Sequence, residues 1–361
     1  MKLALVHEYL NQYGGAERVL QLLCARWPDA PVYTMLYDRR ATGGVFDGRD
    51  VRTSFLQRLP GSIRWHHAYT ALMPLAVEQF DTGAFDTVLS VSASFAKGIV
   101  TKPLSRHVSY CLTPPRFLWD DSQRFVRRFA LPSFLRTASP LLLSYLRVWD
   151  RQAADRVDEF VAISRCVADR IAKYYGRQAS VVYPPVDVNR FVPREIPGVE
   201  PYFLMVGRLV AYKRFDIAIR AANRMRFNLL IVGAGVQERK LRKLAGPTVT
   251  FLGQVDDEAL AALYAGCRAV IFPQEEDFGI VPLEAMAAGR PVIAFGGGGA
   301  LETVVDGTTG LFFPEQSEDS LMQAVESFRG RSWSVSACRA RAESFGTERF
   351  VREMENALNP S

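Results

Sequence analysis

The sequence predicts an α/β protein made of two doubly wound domains. Three observations carry this. With 361 residues and 48% hydrophobic content, the chain can fill two cores. Apolar runs of strand length alternate along it with segments of helical period. A stretch holding three prolines and a glycine, residues 193–201, divides that alternation into two series. No apolar run approaches the roughly 20 residues of a membrane span. The opening Met1–His7 reads as a first strand rather than a signal peptide, because its apolar part is short and Glu8 follows. The five cysteines are scattered without a C-x-x-C pair, which fits a reduced cytoplasm better than a disulfide framework. The net charge of +6 suits anionic substrates, an anionic membrane surface or plain solubility. No nucleic-acid motif is present.

In the first series, Leu3–Val6 reads as a strand. Gly14 and Gly15 then precede a helix through Leu20, Leu23 and Cys24. Glycines there let backbone approach a phosphate or sugar, although any strand-to-helix turn can use them. Trp65–Tyr69 is an aromatic, basic patch that suits an acceptor groove or a core. Asp86–Val91 is a strand, with Ser92, Ser94 and Lys97 at its C-terminal end. Lys97 is either an anion contact facing the cleft between domains or a surface lysine. Residues 124–151 interleave Arg124, Arg127, Arg128, Arg136 and Arg147 with leucines and aromatics. This fits a segment docking on anionic headgroups, or core helices with arginine rims. Pro132 and Pro140 argue against one long helix. Val157–Ile163 is a strand, and Ser164 after it is an acceptor or phosphate contact or a helix N-cap.

In the second series, Tyr202–Val206 is a strand leading to Gly207. Beyond its C-terminal end, Arg208 and Lys213 can clamp a diphosphate. The alternative is an exposed basic pair at a helix start, which the helix dipole opposes. Asn228–Val232 runs into a Gly233-x-Gly235 turn, half of a dinucleotide fingerprint. Val249–Gly253 is the next strand. Asp256 and Asp257 after it make a good helix N-cap. Ala269–Phe272 is a buried strand, and a helix follows that Gly289 closes. Between them, Glu276 and Glu284 flank Phe278, Gly279, Ile280 and Val281, whose backbone N–H groups would sit at a helix N-terminus. Carboxylates can accept from sugar hydroxyls while the amides take phosphate charge. Glu284 as a first-turn glutamate and Glu276 as a solvated loop charge remain open. Pro291–Phe295 is a strand. Gly296–Gly299 is a ligand-facing set of amides or a flexible loop. Gly310–Phe313 is a last strand, and Thr347–Leu358 a last helix.

The run from Glu276 to Ala294, E-x-F-G-I-V-x-L-E-A-M-A-x-G-x-P-V-I-A, resembles the retaining glycosyltransferases of family 4, which have the GT-B fold. Val108–Asp120, Ala96-Lys97-Gly98, Trp149-Asp150-Arg151 and Tyr212-Lys213-Arg214 resemble a subgroup similar to bacterial O-antigen mannosyltransferases. The resemblance implies an acceptor-binding domain over 1–193, a nucleotide-sugar domain over 194–345 and a helix over 346–361 that returns to the first domain. It implies donor contacts at Gly14, Gly15, Gly207, Arg208, Lys213, Gly233, Glu276, Phe278–Val281 and Glu284. Arg208, Lys213 and Glu276 carry the catalysis, Glu276 holding sugar hydroxyls and Glu284 the ribose diol. The base would lie near the backbone of Val255, where Asp257 can accept from guanine. Lys97, Thr113, Arg116 and Ser164 fall on the acceptor side. One departure is Leu112, where relatives carry a histidine near the sugar's C6 oxygen. The implied reaction moves a hexose, mannose from GDP-mannose foremost and a 6-deoxyhexose from GDP-rhamnose second, to a lipid-linked glycan at the cytoplasmic membrane face. No strict D-x-D triplet occurs, so no metal or other cofactor is called for. A non-catalytic nucleotide-sugar-binding partner and a nicotinamide-dependent enzyme are the readings from other classes. The missing third fingerprint glycine argues against the latter.

Overall fold

The computed structural model describes residues 1–120, 133–196, 198 and 200–359, without the side chains of 133–139. Arg124, Arg127, Arg128 and Pro132 of the basic segment lie outside the described residues. The chain divides into two compact units, Met1–Tyr183 with Val351–Ser361, and Pro184–Phe350.

The first unit holds strands β1 (Leu3–His7), β2 (Val32–Thr34), β3 (Val51–Thr53), β4 (Thr87–Ser92), β5 (Arg106–Cys111), β6 (Glu159–Ala162) and β7 (Ala179–Val181). They form one parallel sheet in the order β3-β2-β1-β4-β5-β6-β7. Every residue of β1 and β4 is buried, as in a sheet covered on both faces by helices. The covering helices include α1 (Gly15–Arg26), α2 (Met73–Glu78), α3 (Arg116–Trp119), α4 (Ser133–Asp155) and α5 (Arg165–Tyr175). Pro140 does not break α4, which runs through it for 23 residues. A proline removes one backbone hydrogen bond and can bend the axis. Downstream, Leu143, Leu146, Trp149 and Ala153 are buried at helical spacing and hold the helix together.

The second unit holds β8 (Tyr202–Val206), β9 (Asn228–Val232), β10 (Val249–Gly253), β11 (Ala269–Phe272), β12 (Val292–Phe295) and β13 (Gly310–Phe313). Their order, β10-β9-β8-β11-β12-β13, is that of a dinucleotide-binding sheet, all parallel. The helices between and after them are α6 (Phe215–Met225), α7 (Glu238–Leu244), α8 (Asp257–Gly266), α9 (Ile280–Ala287), α10 (Ala300–Thr303), α11 (Glu318–Arg329) and α12 (Val335–Glu343). One core of Phe203, Leu229, Ile231, Ile271, Ile293 and Phe313 runs across the sheet. The last helix, α13 (Thr347–Leu358), ends in the first unit. There the Arg106 guanidinium donates to the carbonyls of Ala357 and Leu358, each at 2.9 Å.

In both sheets the chain starts centrally, winds outward to one side, and then crosses to the other. The reversals fall between β1 and β4 and between β8 and β11. Loops leaving adjacent strands diverge there and open a crevice at the strands' C-terminal ends.

His107 on β5 is fully buried, with Nε2 2.9 Å from Ser90 Oγ. Burial pushes its pKa down to about 4. The unfolded imidazole titrates near 6.5, so below that pH the unfolded chain takes up a proton that the fold refuses. The contribution is complete above pH 6.5 and lost as pH falls toward 4, by about 3 kcal/mol in the limit. Denaturant unfolding between pH 7 and 4.5 should show a steeper loss of stability in the wild type than in His107→Gln. Parallel slopes would show that this imidazole does not titrate in the unfolding equilibrium.

Candidate active site

At the first crevice the protein supplies its own anion. Glu8 follows β1, and only 5% of it is exposed. Its carboxylate accepts from the backbone N–H groups of Ala93 (3.0 Å), Ser94 (2.7 Å), Phe95 (2.9 Å) and Ala96 (3.1 Å). The hydroxyls of Ser92 and Ser94 add two more bonds at 3.0 and 2.9 Å. Successive amides of this kind form an anion-binding nest. Here an internal carboxylate fills it. Sequence reasoning passed over Glu8, since nothing local marks a residue whose partners lie more than 80 positions away.

Lys97 belongs to the same buried assembly, which corrects its expected place on the acceptor side. It is 1% exposed, and its ammonium donates to the Ser94 carbonyl at 2.6 Å and pairs with Asp150. Asp150 also accepts from Trp119 Nε1 and the Tyr175 hydroxyl, each at 2.9 Å. A lysine so enclosed is a structural countercharge, not an anion contact. Trp149 covers Gly98, where a Cβ would stand 2.4 Å from the indole. Ser164 is likewise buried and accepts from Val167 N–H at 3.1 Å, so its hydroxyl caps α5. Arg116 lies 3.8 Å from Asp120, and Thr113 accepts from Arg170 at 3.4 Å. Gly14 caps α1 and donates its N–H to Glu17 at 2.8 Å, while open space surrounds the missing side chain of Gly15. His66 packs by the loop after β1, its Nδ1 3.1 Å from Asn11 Nδ2. Burial and then the neighbouring His67 lower its pKa to about 4.

The second crevice is built differently. The loop after β8 carries Gly207, Arg208 and Lys213, and the loop after β11 carries Gln274 and Glu276. The two loops meet: Lys213 Nζ donates to Glu276 Oε1 at 2.5 Å. Gln274 Nε2 lies 3.4 Å from the same oxygen, and its buried carbonyl oxygen has no partner among the described residues. Gly207 makes room for Lys213, since a Cβ there would sit 3.1 Å from the ammonium. Arg208 is exposed and forms no ion pair among the described residues. Beyond Glu276, Gly279 opens α9 with φ 85° and no side-chain cap. The amides of Ile280 and Val281 therefore begin an uncapped helix at the crevice, a natural anion site. Glu284, one turn in, is 6% exposed, and its Oε2 accepts from the Tyr264 hydroxyl at 2.7 Å.

The glycines here serve loop-on-loop packing. A Cβ on Gly233 would meet the Gly207 carbonyl at 2.0 Å, which fixes the turns after β8 and β9 against each other. The four-glycine run is not a set of open amides. Gly296 donates to Phe313, Gly297 to Phe295 and Gly299 to Glu276, at 3.0, 2.9 and 2.8 Å. Gly298 and Gly299 lie so close to the 276–278 backbone that a Cβ on either would stand 2.3 Å from it. Asp256 caps α8 by accepting from Ala259 N–H at 2.8 Å. Asp257 is exposed in the first turn and paired with Arg190, so its expected role as a free acceptor for a base is not what the fold presents. Val255 lies two residues beyond β10, half exposed.

Two doubly wound domains of these strand orders define the GT-B class of fold. Solved structures agree with this assignment. HepE of Anabaena, in complex with UDP and glucose, aligns over 100% of each chain with a TM-score of 0.74 at 19% identity. The lipopolysaccharide outer core galactosyltransferase WaaB, in its apo form, aligns over 99% of each at 0.69 and 17%. The family model of Glycosyltransferase Family 4 matches residues 13–190, and that of Glycosyl transferases group 1 matches 189–342. The chain belongs to glycosyltransferase family 4. A GDP-mannose-dependent alpha-(1-6)-phosphatidylinositol monomannoside mannosyltransferase of Mycobacterium tuberculosis is 35% identical over 48% of this chain and 53% of its own length. The mouse alpha-1,3/1,6-mannosyltransferase ALG2 is 28% identical over 70% of this chain and 66% of its own. The chain thus spans about half the length of the first of these relatives.

Removing the internal anion by Glu8→Ala should strand several buried donors and lower unfolding free energy by about 3 kcal/mol or more, read by denaturant titration. A loss under about 1 kcal/mol would mean that water replaces the carboxylate without cost. Gly299→Ala should push the 276–278 backbone out of position and weaken nucleotide binding at least ~10-fold, with helical circular dichroism retained. Unchanged affinity would show that the glycine loop does not set this segment.

Proposed function

We propose that the protein is a retaining, metal-independent hexosyltransferase that moves mannose from GDP-mannose to a lipid-linked oligosaccharide acceptor. The acceptor would be built at the cytoplasmic membrane face, in cell-surface polysaccharide (O-antigen or exopolysaccharide) assembly. The observation that carries the reading is the Lys213–Glu276 pair, set beside exposed Arg208 and the uncapped start of α9. Cations and amides for a diphosphate thus adjoin a carboxylate for sugar hydroxyls. The two mannosyltransferase relatives support the sugar, and the first supports the GDP carrier.

In this reading the bond between the anomeric carbon and the diphosphate oxygen breaks. Negative charge grows on the departing nucleoside diphosphate, and Arg208, Lys213 and the α9 amides stabilise it. The acceptor hydroxyl attacks from the face the diphosphate leaves, and its proton passes to a leaving phosphate oxygen. Products are the lengthened glycan and the nucleoside diphosphate. Arg208 and Lys213 provide the countercharge that a metal supplies in other transferases. Glu276 holds the sugar, and Gln274, with a buried oxygen lacking a partner, completes that grip. Glu284 holds the ribose. Donor arrival replaces the Lys213–Glu276 contact with two ligand contacts, so neither charge is left alone. Membrane contact draws support from α4, where Leu141, Tyr145 and Val148 are exposed at helical spacing. Among the described residues no helix is long and apolar enough to cross a membrane.

Leu112 favours one second reading, a 6-deoxyhexose donor such as GDP-rhamnose. Its half-exposed side chain, just past β5, can neither donate to nor accept from a 6-hydroxyl.

A thermal-shift panel of GDP-, UDP- and dTDP-sugars, followed by turnover with the best donor, tests both. GDP-mannose should stabilise most, by ~2.7 kcal/mol at a hundredfold excess over Kd. Arg208→Ala and Lys213→Ala should each lower turnover about 10²-fold or more. A preference for UDP-sugars would remove the GDP carrier, and wild-type turnover in both variants would remove the site.

A further inference from the structure

The second unit has another cationic recess, apart from the crevice at Glu276. A cavity of about 430 Å³ lies between the start of α6 and the outer side of α7. Four cationic side chains line it, Arg214, Arg220, Lys240 and Lys243, against one carboxylate, Asp216. Arg214 already pairs with Asp216 at 3.3 Å. The other three are exposed and form no ion pair among the described residues. By contrast, nearby Arg224 and Arg242 each bind carboxylates of their own surface. Three like charges lining one hollow favour an anion among them, an attraction that salt weakens because all three are exposed. Val210, Ala211 and Leu244, none of them buried, line it as well, so the recess offers apolar surface beneath its charged rim. α6 opens onto it with no side-chain cap, which adds N-terminal amides and a favourable dipole.

We propose that this recess is a second anion site, taking a phosphate ester with a small apolar body. Lysine and arginine around one hollow suit phosphate oxygens, and Val210, Ala211 and Leu244 suit the carbon skeleton of an ester rather than a bare ion. Such an ester comes either free in solution or as the headgroup of an anionic lipid. Val236, 87% exposed on the loop before α7 and next to Gln237 of the lining, is placed to touch a lipid surface in the second case. The site adjoins the donor loop, because Arg214 directly follows Lys213. Arg214 holds a left-handed backbone at φ 53°, and its guanidinium reaches Gln316 as well as Asp216. An ester bound here therefore rests on the segment that positions Lys213. The proposal does not rest on the donor reading, since the three unpaired cations are not those of the crevice.

Calorimetric titration with phenyl phosphate, and sedimentation with vesicles of phosphatidylglycerol or phosphatidylcholine, test it. The full chain is used as wild type, as Lys213→Ala, and as the triple variant Arg220→Gln/Lys240→Gln/Lys243→Gln. Lys213→Ala should keep binding. The triple variant should lose it at least ~10-fold in whichever arm is positive, and Lys240→Gln/Lys243→Gln should fall between. Binding of the soluble ester identifies a free ligand. Binding only to phosphatidylglycerol vesicles identifies a headgroup, and both outcomes support the site. The replaced side chains are exposed, so the thermal midpoint should stay close to wild type. No binding in either arm overturns the proposal. So does binding that vanishes with Lys213→Ala, or that the triple variant leaves unchanged.

Discussion

Strand-order reversal places an unavoidable demand on both halves of this chain. Where the loops part, backbone amides and helix starts point into a crevice and attract negative charge. Something anionic must answer them. In the first unit the answer is covalent: Glu8 spreads its charge over four amides and two hydroxyls and closes the crevice from within. In the second unit no side chain caps α9, and Lys213, Arg208 and Glu276 stand around the opening instead. One fold repeated twice thus yields a sealed crevice and an open one. The division of labour between the two halves follows from which crevice already holds its anion.

The second crevice holds a cation and a carboxylate side by side. A cation and a carboxylate would each be costly if left alone and partly buried. Joined at 2.5 Å, they neutralise each other. The pair is also well supported. Gly207 leaves room for the lysine stem, Gly299 donates to the Glu276 carbonyl, and Gln316 donates to the carbonyl of Pro273 at 2.8 Å. A site made of side chains on loops becomes precise only when the loops themselves are pinned, and here close glycine contacts do the pinning.

Much of this was legible in the sequence. The strands Val249–Gly253, Ala269–Phe272 and Gly310–Phe313 and the helix Thr347–Leu358 match the expected segments, because apolar period and glycine stops are local signals. Arg208, Lys213 and Glu276 were legible as charges just past strand ends, where an α/β sheet binds ligands. The misread residues share one cause, a partner distant in sequence. Lys97 was read as a cleft-facing anion contact or a surface lysine, but its destination depends on Asp150, 53 positions on. Asp257 was read as an acceptor for a base or as part of a helix N-cap; Asp256 makes the cap, and Arg190 of the segment after β7 pairs with Asp257. The four glycines were read as open amides or as a flexible loop. Their tight fit against residues 276–278 depends on how two loops stack, which no linear pattern records. Pro140 failed as a helix stop because burial of α4's later turns outweighed one missing hydrogen bond.

These corrections change what the first unit's markers mean. Ala96-Lys97-Gly98 and Trp149-Asp150-Arg151 entered as features that resemble a subgroup of the family. In the fold they interlock: Lys97 pairs with Asp150, Gly98 receives the Trp149 ring, and Trp149 Nε1 donates to Glu78 at 2.8 Å. Lys97 N–H also donates to Ser92 Oγ at 3.2 Å, and Ser92 in turn donates to Glu8. The two motifs therefore brace the sealed crevice. Buried charges so fully partnered have no capacity left for an incoming hydroxyl or phosphate. Groups of the first unit that still face solvent include Trp65, Tyr13 and the space beside Gly15. A motif that marks a subgroup can thus serve the scaffold rather than touch a substrate.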